Sequence, residues 1–189
     1  MYKLLAVLAI VLFICTCGGP KKETPNKPVT TAAPVFAATI KTVDSMTVIS
    51  IAKNGSYSDV GKTIGELMTW VIAKKIRMTG NPFGIYYDNP AKVTPESTRY
   101  EICLPVSKDT KSDNVIKVKQ LPKMEVASTI YMGSYDKIGT AYEKLTNWIT
   151  EQGYIITGPS RELYFSNPAS ASPESLKTEV QLPISKKTQ

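Results

Sequence analysis

The pattern of apolar and polar positions divides most of the chain into two units, each predicting a strand, a helix and two further strands. Apolar or alternating runs of strand length are bounded by Gly, Pro, Asn or Ser residues. After the first strand of each unit, apolar residues recur at the i, i+3, i+4, i+7 spacing of a helix with one buried face. The predicted strands are 47–52, 83–87 and 100–105 in the first unit and 126–131, 162–165 and 178–183 in the second.

The two units are copies of one another in an ungapped register. Gly55-Ser56-Tyr57 returns 78 positions later as Gly133-Ser134-Tyr135, and many later positions match at the same offset. Repeats of this kind bury their apolar faces against each other. We therefore expect an α+β domain over 43–189, in which two pseudo-twofold-related βαββ repeats, 43–108 and 119–186, form one antiparallel sheet. Both helices would lie on one face, with a central groove where the repeats meet.

A carboxylate interrupts the apolar run of the last strand in each repeat, Glu101 in the first and Glu179 in the second. Since a strand alternates its faces, Glu179 shares a face with Gln181, opposite the apolar residues of that strand. Two interpretations stay open. The carboxylates lie on a solvated face or in ion pairs, for instance with Arg99 or Arg161. Alternatively, they face a site for positive charge, because a partly dehydrated carboxylate gains from a cation.

Aromatic side chains that recur in both repeats are the candidate walls of such a site. The chain has 10 tyrosines and 4 phenylalanines, which suits a surface that needs apolar area together with hydrogen bonding. Aromatic faces also attract cations, by about 0.5–2 kcal/mol each where water is excluded. The candidates are Tyr57, Trp70 and Tyr86 in the first repeat and Tyr135, Trp148 and Tyr164 in the second. The two tryptophans also suit the helix core.

The absence of histidine excludes several classes of site. Ser-His-Asp and Cys-His catalysis and histidine-ligated metals or haem are ruled out, and no metal or other cofactor is expected. Acid–base chemistry would rest on carboxylates, tyrosines or lysines. The formal charge of +7 favours contact with anionic surfaces, but no nucleic-acid-binding motif accompanies it. We interpret the charge as a solvated basic surface and expect no nucleic-acid partner.

The N-terminus predicts a bacterial lipoprotein signal peptide over 1–17. The run Leu4–Cys17 is apolar apart from Thr16, and it is shorter than the roughly 20 residues of a membrane-spanning helix. Cys17, which two glycines follow, is the expected lipidation site, and Cys15 is the alternative. An uncleaved signal anchor is the other interpretation of this segment.

The segment 18–42 is rich in Pro, Thr and Lys and predicts an extended tether. Its prolines exclude a regular helix or a central strand. Together with the signal, the tether would hold the domain in the bacterial cell envelope, anchored by lipid outside the cytoplasmic membrane.

The order of the short motifs resembles a known family. The second repeat carries Gly133-Ser134-Tyr135, Leu145, Trp148-Ile149, Gly153-Tyr154, Gly158-Pro159-Ser160-Arg161-Glu162-Leu163-Tyr164 and Thr178-Glu179-Val180-Gln181-Leu182-Pro183. The first carries Gly80-Asn81-Pro82, Ile85-Tyr86-Tyr87, Pro95, Glu101-Ile102 and Leu104-Pro105-Val106. In this order they resemble the GyrI-like domain, the effector-binding domain of AraC- and MerR-type multidrug-sensing regulators and of gyrase inhibitory protein. The resemblance covers about 43–185.

The resemblance implies two βαββ repeats and a central groove that binds bulky organic molecules, typically lipophilic cations. It places the family's characteristic binding glutamate, on the last strand of the second repeat among aromatics, at Glu179, with Glu101 as the counterpart. Some members are similar in fold but hydrolyse strained cyclopropane-containing genotoxins with a pocket glutamate. The lipoprotein signal stands where the regulators carry a DNA-binding domain, so transcriptional control is not expected.

Three functions remain after this comparison. The leading hypothesis is a membrane-tethered protein that captures a hydrophobic, in the favoured case cationic, organic ligand in the groove. The second is a hydrolase of an electrophilic small molecule that uses Glu179 or Glu101. The third is a protein-interaction module without a ligand. Nothing in the sequence separates a binding carboxylate from a catalytic one.

Overall fold

The computed structural model describes residues 36–113, 115–166 and 170–188. The predicted signal peptide with Cys17, and the predicted tether as far as residue 35, lie outside the described residues.

Two α-helices, nine strands and four single-turn 3-10 helices make up the described fold. The helices are α1 (Val60–Ala73) and α2 (Gly139–Glu151). The strands of the first half are β1 (Thr39–Val43), β2 (Met46–Asn54), β3 (Phe83–Tyr86) and β4 (Arg99–Pro105). The strands of the second half are β5 (Lys117–Leu121), β6 (Met124–Met132), β7 (Tyr154–Ile156), β8 (Ser160–Tyr164) and β9 (Lys177–Lys186). The expected α+β class, with two βαββ repeats, is confirmed.

The strands pair antiparallel in the order β1-β6-β9-β8-β3-β4-β2-β5, and β7 pairs with β9 beside this path. The helices present equivalent residues of the two repeats to the sheet. Thr63, Leu67 and Val71 are buried on α1, and the residues 78 positions later, Ala141, Leu145 and Ile149, are buried on α2. α1 packs on β2 and β4, and α2 packs on β6, β7 and β9. The central strands β3 and β8 therefore lie between the two helices.

The structure corrects the expected start of the domain. Residues 39–42 were assigned to the tether, but they belong to β1, which pairs with β6 of the other repeat. The equivalent strand of the second repeat, β5, pairs in turn with β2 of the first. Each repeat thus contributes an edge strand that pairs with the other repeat, and this exchange of strands connects the two halves. Both strands are short and carry lysine, one in β1 and two in β5, which is typical of sheet edges that do not pair further.

The face of the sheet that carries no helix is also buried. Val48, Phe83, Ile85, Cys103 and Leu121 form an apolar cluster there, separate from the clusters beneath the two helices. A sheet of nine strands that curls can bury one face against itself, since strand twist accumulates across the sheet. The fold therefore offers two distinct interior surfaces, one between the helices and one on the helix-free face.

Within the part of the chain that the structure describes, neither α1 nor α2 has the length and apolar character needed to cross a membrane.

Candidate functional site

The centre of the sheet holds the position where the two repeats meet. β3 and β8 pair so that Phe83 lies opposite Leu163 and Ile85 opposite Arg161, with Gly84 opposite Glu162 between them. Gly84 and Glu162 occupy equivalent positions of the two repeats, so the pseudo-twofold axis passes between them. The two repeats thus differ at the axis that relates them, where the second repeat has the Glu162 carboxylate and the first has Gly84, without a side chain.

A cluster of tyrosines surrounds this carboxylate on the helix-bearing face, and we call it the tyrosine cluster. Its members are Tyr57, Tyr86, Tyr135, Tyr142 and Tyr164. The Tyr142 hydroxyl donates a hydrogen bond of 2.7 Å to Oε1 of Glu162. The hydroxyls of Tyr86 and Tyr164, which are equivalent residues of the two repeats, hydrogen-bond to each other across the axis.

The outer members of the cluster pack edge to face against the inner ones. The Tyr57 and Tyr86 ring centroids are 4.9 Å apart, and those of Tyr135 and Tyr164 are 6.0 Å apart. Such contacts stabilise aromatic pairs beyond the area that they bury. Tyr57 and Tyr135 are half-buried, whereas Tyr86 and Tyr164 are buried. The outer pair therefore forms a rim above a deeper aromatic floor.

Gly84 makes room for that floor. A Cβ atom at this position would lie 2.6 Å from Cε2 of Tyr86 and 2.7 Å from the hydroxyl oxygen of Tyr164, closer than non-bonded atoms approach. The need for glycine here comes from the lack of space for a side chain. It does not come from the backbone, since the φ angle of Gly84 lies outside the left-handed region that favours glycine. Its missing side chain lets both tyrosine rings reach the axis beside Glu162.

Burial determines the pKa of the Glu162 carboxyl. Glu162 is only 8% exposed. Burial raises the pKa of Glu162 to about 7, although the hydroxyls of Tyr142 and Tyr86 act to lower it. Burial also raises the pKa values of Tyr86, Tyr142 and Tyr164 well above the usual range, so their hydroxyls stay protonated. Glu162 is thus a carboxyl that changes charge near neutral pH among neutral phenols.

No cation balances Glu162 among the described residues, because no lysine or arginine nitrogen lies within 4.0 Å of its carboxylate. A buried carboxylate without a counter-charge is costly, and it gains strongly from a cation that reaches it. The tyrosine rings add faces that attract the same cation. The arrangement is suited to binding an organic cation of low hydration.

The structure separates the two predicted glutamates from the tyrosines with which they were expected to share a groove. Glu101 and Glu179 point to the helix-free face and are 7% and 5% exposed. Each pairs with a lysine of the exchanged edge strand, Glu101 with Lys119 at 2.5 Å and Glu179 with Lys41. Their expected location is therefore wrong, and the ion-pair alternative describes their surroundings, with lysines in place of the arginines considered.

These two ion pairs repeat the internal symmetry, since Lys41 and Lys119 are equivalent residues, as are Glu101 and Glu179. Burial by itself would raise the pKa of the Glu101 carboxyl, but the Lys119 ammonium and the hydrogen bonds from Ser50 and Tyr87 together hold that pKa below its usual value. The pairs fasten the exchanged strands to the last strand of each repeat. The recurring carboxylate thus meets a lysine at both positions.

The tryptophans belong to the cores beneath the helices. Trp70 packs at the edge of the first core and donates a hydrogen bond of 2.6 Å from Nε1 to Asp113. Trp148 packs against the second core in the equivalent place. Of the expected aromatic residues, the structure brings together Tyr57, Tyr86, Tyr135 and Tyr164 but leaves both tryptophans with the packing role.

Sequence reasoning missed Glu162 and Tyr142 as site residues. Glu162 has glycine at the equivalent position and Tyr142 has Ile64, so a search for residues shared by both repeats passes over them. The alternation of strand faces could have identified Glu162, because it places Glu162 on the same face of β8 as the candidate Tyr164.

Comparison with known proteins gives the family and the fold. The model of the GyrI-like small molecule binding domain matches residues 37–185. No curated protein sequence matches the chain. The fold is similar to the crystal structure of the EcmrR C-terminal domain, with a TM-score of 0.73 and 23% identity over 81% of this chain and 99% of that one. In the EcmrR–DNA complex, the match covers 80% of this chain and 58% of the EcmrR chain.

Two further structures share the fold at lower identity. A hydrolase from Listeria innocua has a TM-score of 0.61 and 16% identity, over 81% of this chain and 94% of that one. SAV2435 bound to tetraphenylphosphonium has a TM-score of 0.50 and 14% identity, over 79% of this chain and 94% of that one.

Proposed function

Because this chain belongs to the GyrI-like family of small-molecule binding domains, we propose that it binds a hydrophobic organic cation in the tyrosine cluster, with Glu162 as the counter-charge. The observation that carries the proposal is the buried Glu162 carboxyl, which has no cationic partner among the described residues and lies among neutral tyrosines. The tetraphenylphosphonium in SAV2435, a protein of similar fold, is a ligand of this chemistry and supplies a probe.

The energetics favour a large cation of low charge density. A carboxylate in water is strongly hydrated, and burial removes that hydration at a cost in free energy. Only a cation that is itself weakly hydrated can enter the site and offset this cost. Aromatic cations and phosphonium ions spread their charge over apolar groups. Half-buried Tyr57 and Tyr135 are the side chains placed to contact such a ligand first.

The pH dependence of cation affinity tests the role of Glu162. Since the pKa of Glu162 is raised to about 7 in the free protein, only the ionised form offers a counter-charge to the ligand. The affinity for tetraphenylphosphonium should therefore rise with pH and fall about tenfold as the pH is lowered from about 8 to about 6. Calorimetric titration across this range measures the effect. An affinity of the wild-type protein that does not change with pH would contradict the proposal.

A second candidate function is hydrolysis of an electrophilic ligand, as the sequence suggested for a pocket glutamate. It is favoured by the pKa of Glu162 near 7, which suits a general base that activates water at neutral pH. The Listeria innocua protein of similar fold is described as a hydrolase, although the shared fold by itself carries no activity. Under this alternative the base is Glu162 and not Glu101 or Glu179, because the latter are held in ion pairs.

The membrane anchor belongs to the same proposal. The apolar run that ends at Cys17 supports lipidation of this cysteine, and a lipid there would hold the binding domain at the surface of the cell envelope. The Cys17→Ala variant is expected to leave the membrane fraction and appear in the soluble fraction, as measured by fractionation and immunoblotting, whereas Cys15→Ala stays bound. Retention of Cys17→Ala in the membrane fraction would favour an uncleaved signal anchor.

A further inference from the structure

The helix-free face of the sheet holds a buried arginine. Arg161 of β8 is 5% exposed and lies between Ile85 of β3 and Gln181 of β9. Its guanidinium carbon is 5.6 Å from the centroid of the Phe83 ring, which supplies a cation–π contact. Because successive strand residues point to opposite faces, Arg161 is turned away from the neighbouring Glu162 and from the tyrosine cluster.

This arginine has no counter-charge in the part of the chain that the structure describes. No carboxylate oxygen there lies within 4.0 Å of its guanidinium, and no side-chain hydrogen bond engages its donors. The carboxylates of the same face, Glu101 and Glu179, are already paired with Lys119 and Lys41. An arginine stays protonated at physiological pH, so its buried positive charge is left without compensation.

Arg161 lines a cavity of about 290 Å³ on this face. The apolar wall of the cavity includes Val43, Met46, Phe83 and Leu163. Besides Arg161, the polar residues of the lining are Thr79, Asn81 and Gln181. A cavity with an apolar body and a few convergent polar groups at one side is the usual form of a small-ligand site, and this volume is near the lower end of the range for such sites.

The duplication provides an internal comparison for this site. The residue equivalent to Arg161 in the first repeat is Phe83, and the residue equivalent to Gln181 is Cys103. Both are buried members of the apolar cluster of this face. The fold therefore accommodates apolar side chains at these positions, and only the second repeat has replaced them with a charged and a polar one. Packing of the face does not by itself require an arginine.

We propose that the cavity beside Arg161 binds a small organic carboxylate with an apolar body. The planar guanidinium can donate two parallel hydrogen bonds to a carboxylate, and this geometry is stronger and more specific than a single contact. The Gln181 amide, opposite Arg161 on the adjacent strand, can donate a further hydrogen bond to the same group. The hydrocarbon part of the ligand would pack against Phe83 and Leu163.

The site is independent of the cation site. The tyrosine cluster lies on the helix-bearing face and the cavity lies on the other, with the backbone of β3 and β8 between them. A ligand at Arg161 and a cation at Glu162 should therefore be distinguishable by single substitutions. Failure of one proposal leaves the other standing.

Calorimetric titration of the full chain with octanoate tests the proposal. We expect the wild-type protein and the Glu162→Gln variant to bind octanoate with equal affinity. The Arg161→Met variant, which keeps an unbranched apolar stem but lacks the guanidinium, should bind at least about tenfold more weakly. Arg161→Lys, which keeps the charge but loses the planar fork, should show an intermediate loss.

Two probes separate the charge from the body of the ligand. Octanol keeps the hydrocarbon and lacks the carboxylate, and inorganic phosphate has the charge without the hydrocarbon. Both should bind more weakly than octanoate. Arg161→Met should retain its circular dichroism spectrum and thermal transition, because Phe83 shows that an apolar side chain fits this face. Octanoate binding that Arg161→Met leaves unchanged, or the absence of octanoate binding by the wild-type protein, would overturn the proposal.

Discussion

Replacing Glu162 with glutamine is expected to weaken the binding of tetraphenylphosphonium about 100-fold at a pH of about 8, which corresponds to about 2.7 kcal/mol. Glutamine preserves the size of the side chain and can still accept the hydrogen bond from Tyr142. The substitution therefore removes the negative charge and little else. The loss is large because the carboxyl is buried among neutral phenols, where little water screens its attraction for a cation. Calorimetry measures the change directly.

The matched control for this variant is Glu179→Gln, the position at which the family resemblance placed the binding glutamate. Glu179 lies on the helix-free face and pairs with Lys41, so its loss should leave the affinity for tetraphenylphosphonium within about twofold of the wild-type value. If Glu179→Gln weakens binding more than Glu162→Gln, the assignment of the site is wrong. If an electrophilic ligand is consumed by the wild-type protein but not by Glu162→Gln, the hydrolytic alternative is favoured.

Replacing Gly84 with alanine is expected to destabilise the fold by about 1–3 kcal/mol, the usual cost of forcing a methyl group into a filled interior. The added Cβ would lie 2.6 Å from Cε2 of Tyr86 and 2.7 Å from the Tyr164 hydroxyl oxygen. Both rings are buried, so they can yield only by leaving the axis. The variant should therefore show a lower midpoint of urea unfolding and a weaker affinity for tetraphenylphosphonium.

The control for this substitution is Gly61→Ala in α1. An added Cβ at Gly61 meets nothing within 4 Å. Alanine is favoured over glycine in a helix, so this variant, in the first turn of α1, should be at least as stable as the wild-type protein and bind the cation unchanged. Equal stability of Gly84→Ala and the wild-type protein would show that the tyrosines can move away from the axis without cost.

The duplicated architecture could be predicted from the sequence because local and long-range patterns agree there. The helix periodicity, the strand lengths and the ungapped repeat all pointed to two βαββ units, and the structure has them. The edge strands β1 and β5 could not be predicted in the same way. β1 follows a proline-rich stretch that predicts a tether, and β5 is polar at Lys117, Lys119 and Gln120, so neither strand shows the regular apolar alternation that identifies a strand in the sequence.

The site was predicted in part. The recurring tyrosines Tyr57, Tyr86, Tyr135 and Tyr164 do lie together at the axis. The glutamate was sought among residues shared by both repeats, and symmetry-related glutamates turned out to bind symmetry-related lysines. A single cation on a pseudo-twofold axis needs one carboxylate there. A second carboxylate at the same place would repel the first one. Under the proposed function, the binding position is therefore one at which the repeats differ, where Gly84 lies opposite Glu162.

A structure of the chain with tetraphenylphosphonium bound would locate the cation site itself. We predict that the phosphonium lies on the helix-bearing face, next to the Glu162 carboxylate, with its phenyl groups against Tyr57 and Tyr135. A phosphonium found on the helix-free face beside Glu101 or Glu179, with the tyrosine cluster unchanged, would contradict it.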